Sequence, residues 1–191
     1  MAQLNVNFTD VDEHDAEGGG AVIIPRGRYL LNITEGEVKR NSKNTGDLFN
    51  YKTEIHGTRI RLDGIDAPES AQLCRDTAGK SYRCGQRAAL ALADWIGQRV
   101  VTCWQSGNGR SYDRIVATCS VDGADMAAWL VSQGHALDWP RYSHGRYLTQ
   151  QRDAVAAQRG MWSGNFVNPW YYRTCMRAGG GHIATCSDGA R

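Results

Sequence analysis

Two stretches, 28–38 and 48–56, alternate loosely between apolar and polar positions. Tyr29, Leu31 and Ile33 mark the first, and Phe49, Tyr51, Thr53 and Ile55 share one face of the second. A two-residue period is that of a half-buried strand. The polar run 40–47 separates these strands as a turn, and His56-Gly57 turns the chain into a third strand, Thr58 to Ile65. The three form an antiparallel meander. The period then changes. Ala88, Leu92, Trp95 and Ile96 follow helical spacing within 84–97, with Gly97 as the stop. Two further strands, 99–104 and 114–121, flank the loop QSGNGRSYD. Helices are predicted over 124–134, with Met126, Trp129 and Leu130 inward, and over 147–159, ending at Gly160. Five short strands with a helix after the third describe an α+β chain, mainly a five-stranded OB-type barrel with three helices.

Composition agrees with one folded domain. The chain has 191 residues, 41% of them hydrophobic, with 22 glycines and 4 prolines. This excludes a disordered or collagen-like polymer. No apolar run reaches the roughly 18 residues of a membrane-spanning helix. The net charge of +2 hides an asymmetry. Residues 1–60 hold 9 acids and 7 bases, whereas residues 61–191 hold 11 acids and 15 bases. Residues 1–20 read as a flexible acidic tail, 21–170 as the domain and 171–191 as a tail containing Cys and Gly. The opening stretch lacks the basic flank and apolar run of a signal peptide.

Six cysteines, at 74, 84, 103, 119, 175 and 186, fall in three successive pairs. An even count at such spacing suggests disulfides, and with them a periplasmic or extracellular setting. Cys103 and Cys119 can face each other across one hairpin. Cys74 and Cys84 bracket a loop, and Cys175 and Cys186 staple the C-terminal segment. The alternative is six buried, reduced thiols.

The chemistry-bearing stretch is Arg61-Leu62-Asp63-Gly64-Ile65-Asp66-Ala67-Pro68-Glu69. Pro68 ends the strand, leaving Asp66 and Glu69 at its terminus. Two carboxylates there suit a hard cation and a base, and Arg61 offers a planar fork for phosphate. Arg114 opens another strand and can reach the same end. The bland reading makes the acids turn residues and the arginines solvated charges. Trp95, Trp129 and Trp162 read as core residues, whereas Trp139 and Trp170 can flank a groove. His135 and His144 have no visible partner and read as structural. Arg110, Arg141 and Arg146, interleaved with Tyr112 and Tyr142, suit a single-stranded nucleic acid.

RLDGIDAPE, then SYDRIVATCSVDGADMAAWLVSQGHAL and QRDAVAAQRGMW, resemble the thermonuclease family of staphylococcal-nuclease-like domains over about residues 47–170. The resemblance implies an OB barrel that hydrolyses phosphodiesters of DNA or RNA with one Ca²⁺ ion. It implies that Arg61 and Arg114 bind phosphate, that Glu69 is the general base, and that Asp66 and the Ala67 carbonyl hold the metal. It places Tyr112 and Tyr142 against the nucleotide. The family's upstream Asp-Gly-Asp-Thr is replaced here by Thr45-Gly46-Asp47-Leu48, so Asp47 is the expected second ligand. Asp113 stands where the family usually has Gly. The first 55 residues resemble a small phage protein family linked to single-stranded DNA binding. The expected partners are DNA or RNA and no membrane, with the chain a monomer. The alternative is a non-catalytic OB module that binds nucleic acid or protein.

Overall fold

The computed structural model describes residues 27–29, 32–33, 39–40, 47–48, 53–55, 58–97, 99, 101–111, 114–178 and 181–188, and of 27–59 and 107–110 only the backbone. The sequence's acidic tail lies outside the described residues. The main sheet runs in the order Gly27–Tyr29, Val101–Ser111, Arg114–Val121, Thr58–Leu62, Thr53–Ile55, Asn32–Ile33, and Ala124–Asp125 adds to Arg114–Val121. Every pairing is antiparallel except that of Thr58–Leu62 with Arg114–Val121, which is parallel and sets Arg61 opposite Val116. The two ends of this order, at Tyr29 and Asn32, are three residues apart in sequence. They are therefore at most about 10–11 Å apart, and the sheet must curl back on itself. No ladder closes it among the described residues. The structure is thus an OB-like curled sheet with helices, not the closed five-stranded barrel expected.

Arg114–Val121 is the spine of the fold. Ile115, Val116, Ala117, Cys119 and Val121 are all buried on it. All but Val116, which lines the cleft described below, pack with Ile60, Ile96, Val101 and Met126 in one core cluster. Cys103 stands directly opposite Cys119, and the two are bonded. The strand before this hairpin's turn runs to Ser111, so much of the segment expected as loop is ladder, with a register shift between Gln105 and Arg110. Glycine-rich sequence hides such a strand, because it carries no alternating apolar signal.

The three expected helices are present as α1 (Cys84–Ile96), α2 (Met126–Ser132) and α4 (Leu148–Ala156), with a short α3 (Pro140–Ser143) between the last two. Asp125 caps α2, its carboxylate accepting from the N–H groups of Ala127 at 2.8 Å and Ala128 at 3.1 Å. Trp95 of α1 stacks on Trp129 of α2 at 4.7 Å, as their helical spacing predicts. His135 lies beside Trp129, half-buried.

Beyond residue 164 the chain forms α5 (Pro169–Arg177) and α6 (Ile183–Ser187), joined by the Cys175–Cys186 disulfide. Several bonds tie this segment to the loop that Cys74 and Cys84 close. Gln72, fully buried, donates to the Val167 carbonyl at 2.6 Å. The Leu73 N–H donates to Ser187 Oγ at 2.9 Å, and Arg75 Nε donates to Asp188 at 3.0 Å. Arg75 also exchanges backbone bonds with Asn165. All six cysteines are paired as the sequence suggests.

Candidate active site

The third strand does not continue to Ile65. It stops at Leu62, and Asp63-Gly64 makes a turn in which Gly64 has φ +77°. A side chain is strained there, and a Cβ would lie 3.0 Å from that of Ser143. Ile65–Asp66 then pairs with Leu137–Asp138 instead. This switch of partner buries Asp66, leaving it 4% exposed. Pro68 follows, and Glu69 opens a turn closed by the Gln72 N–H donating to its carbonyl at 2.8 Å. Gln72 Oε1 accepts from the Glu69 N–H at 3.3 Å. The start of α1 rests on this turn: a Cβ at Gly85 would lie 2.1 Å from the Glu69 carbonyl oxygen.

Arg61, Asp66 and Glu69 meet at one end of the sheet, as the sequence anticipates. Arg61 Nη2 is 3.7 Å from Asp66 Oδ1. Burial lowers the Arg61 pKa, and the nearby Arg114 cation lowers it further, while Asp66 opposes both. Arg114 opens the strand that pairs in parallel with that of Arg61, two residues before Val116, the partner of Arg61. Burial raises the Asp66 pKa, and its bonds to Arg173 counter that.

Arg173 is the residue that sequence reasoning missed. It reaches in from α5 and donates to both oxygens of Asp66, from Nη1 to Oδ1 at 3.0 Å and from Nη2 to Oδ2 at 2.6 Å. Its Nη1 also donates to Glu69 Oε1 at 3.0 Å. Its guanidinium lies 5.6 Å from the Trp139 ring centre, and that of Arg61 lies 5.4 Å from it. Trp139 in turn stacks on Trp170 at 6.1 Å and meets Tyr142 edge-on at 4.6 Å. The only local signal was the run PWYYRTCMR, in which Arg173 directly follows three aromatic residues.

A cleft of about 470 Å³ opens beside this cluster. Arg61, Trp139, Arg141, Tyr142, Trp170 and Arg177 are among the residues that line it. Tyr142 is exposed there, and Trp139 and Trp170 flank the groove as anticipated. Arg146 instead lies 3.8 Å from buried Asp63. His144 is exposed at the end of α3, so neither it nor His135 joins the site. Tyr112, Asp113 and the side chains of Asp47 and Arg110 lie outside the described residues. The Asp47 backbone belongs to Asp47–Leu48, paired with Lys39–Arg40 in a separate ladder.

A calcium ion takes six to eight oxygen ligands. The described residues offer it no group of three or more acidic, His or Cys side chains. The two carboxylates present are both engaged by Arg173. The arrangement described therefore does not fit a divalent cation at Asp66.

Arginines, a half-exposed carboxylate and an aromatic-walled cleft have the chemistry that a phosphate-bearing ligand requires. The family comparison agrees: the chain matches the staphylococcal nuclease homologue model over residues 59–164, more than half its length, and belongs to that family. Among curated proteins it is 39% identical over 111 residues to the succinoglycan biosynthesis protein ExoI of Rhizobium meliloti (strain 1021), covering 57% of this chain and 58% of that protein. It is 29% identical over 143 residues to Protein ParB of Escherichia coli, covering 67% of this chain and 73% of that protein. The chain thus spans less than two thirds of the first relative's length. Arg173 lies beyond the family-matched segment.

Proposed function

We propose that this chain is a nuclease that hydrolyses phosphodiester bonds of DNA or RNA, acting from the sheet end where Arg61, Asp66 and Glu69 meet. The supporting observation is that Glu69 is 45% exposed and shares the Arg173 guanidinium with Asp66, beside which Arg61 is held. A base must reach water, and a phosphate ligand must be fixed beside it.

A phosphodiester carries negative charge and repels an incoming hydroxide. Arg61 and Arg114 donate to its non-bridging oxygens and offset the charge that grows there during in-line attack. Glu69 accepts a proton from the attacking water as the new P–O bond forms and the opposite P–O bond breaks. Tyr142 and Trp170 border the strand's path, with Arg141 and Arg177 beside its phosphates. On this reading the curled sheet serves as an OB-type barrel, and Tyr112 belongs to the same nucleotide surface. A calcium ion, with Asp47, Asp66 and the Ala67 carbonyl as its ligands, remains part of the proposal only if Arg173 leaves Asp66.

One observation favours a second reading, a nucleic-acid-binding module without turnover: Arg173 ties up both carboxylates. End-labelled single-stranded DNA and RNA, incubated with the purified chain with and without calcium, separate the two. The nuclease reading expects shortened products. Retarded but intact strands from a folded chain would support the binding module.

A further inference from the structure

The expected metal site and the observed geometry disagree, and the disagreement has a single agent. We propose that Arg173 is the resident cation of the Asp66–Glu69 pair and competes with divalent metal ions for Asp66, so that docked α5 keeps the site metal-free. The reason to expect a metal rests on the nuclease reading. The competition itself does not.

Three donor contacts carry the inference. Both Asp66 oxygens and Glu69 Oε1 accept from one guanidinium, at 3.0, 2.6 and 3.0 Å. A divalent ion at Asp66 needs those same lone pairs, and it would sit against two guanidinium groups, since Arg61 is also within 3.7 Å of Asp66. Like charges at such distances in a partly desolvated pocket repel strongly. Asp66 cannot turn toward a third partner, because its strand is paired to Leu137–Asp138 and its side chain is 4% exposed.

Arg173 is not a loose surface arginine that happens to fall here. Tyr172 beside it is 4% exposed, and α5 is anchored at both ends. The Val167 carbonyl accepts from Gln72 just before the helix, and Cys175–Cys186 and Ser187 hold the chain after it. The ring of Trp139 fixes the guanidinium from the side. The family-matched segment ends at residue 164, so the residue that controls the acids belongs to the C-terminal addition. Gln72 joins the two: its side chain bonds the Glu69 backbone and the Val167 carbonyl together.

Calcium binding to the full chain, measured by calorimetry without substrate, tests this. Arg173→Gln should bind calcium about tenfold or more tightly than the wild type, since charge-assisted bonds to Asp66 no longer have to be broken. Arg173→Lys, which keeps the charge, should stay near the wild-type affinity. Asp66→Asn/Arg173→Gln should lose the gain, which locates the ion. Equal or weaker binding by a folded Arg173→Gln overturns the proposal. The wild type gives the same answer without substitution: calcium bound at Asp66 should speed amide exchange across Pro169–Arg177. Bound calcium with that protection unchanged overturns it as well. No substrate is present, so absence of cleavage leaves this result standing, and an unaltered metal affinity leaves the cleavage result standing.

Discussion

Arg61 is held under tension by its neighbours. Burial, Arg114 and Arg173 disfavour its charge, and Asp66 and Glu69 support it. An anion beside Arg61 would favour its charged form. Arg61→Lys keeps the charge but loses the planar fork. On the nuclease reading, kcat/KM should fall by about tenfold to a hundredfold, roughly 1.4–2.7 kcal/mol of transition-state stabilisation. Steady-state kinetics on a labelled oligonucleotide measure this. Arg61, Asp66 and Glu69 were legible because they lie within nine residues and one turn brings them together. Arg173 was not, because its partner Asp66 is 107 residues away. No local pattern states which buried acid a distant helix will meet.

At the scale of elements, the periodic segments were the legible ones. Leu92, Trp95 and Ile96 mark α1, and Met126, Trp129 and Leu130 mark α2. What alternation could not show was the break at Asp63-Gly64. Arg61, Asp63 and Ile65 keep a strand's period across it, yet Ile65 pairs with a different segment. The first strand was blurred for a related reason: Gly27–Tyr29 joins Val101–Ser111, whereas Asn32–Ile33 joins Thr53–Ile55. The contact between α1 and the Glu69 turn offers a test of how tightly elements set the site. At Gly85 a Cβ would meet Glu69 O at 2.1 Å and Pro68 O at 2.5 Å, both backbone atoms. Gly85→Ala should therefore cost about 1–3 kcal/mol and lower Tm by a few degrees or more. Activity should fall with it, although residue 85 touches no substrate. Thermal unfolding alongside the rate at a permissive temperature separates the two effects.

Across the whole molecule, the charge asymmetry gains a physical meaning. The basic part bears all three disulfides and the cleft, which Arg61, Arg141, Arg173 and Arg177 line. The segment 171–191, read from composition as a tail, supplies a wall of the cleft through Arg173, Thr174 and Arg177. Hydrogen bonds to Leu73 and Arg75, and those of Arg173 to Asp66 and Glu69, tie it to the body. Global stability should also carry a histidine signature. Burial, and then Arg87, lower the His135 pKa below 6.5. Between that lowered value and 6.5 the unfolded chain binds more protons than the folded one, so stability rises with pH and is lost as pH falls through this window. His135→Gln should flatten that part of the Tm-versus-pH curve, and an unchanged slope would remove His135 as its source.

The central claim is that Glu69 serves as the base of a phosphodiester hydrolysis. Its most direct test is the cleavage rate of single-stranded DNA by the wild type and by Glu69→Gln, with circular dichroism confirming that both fold. Cleavage by the wild type and a loss of about a hundredfold or more in the variant are expected. Equal rates in the two proteins, or a folded wild type that cuts nothing, would contradict it.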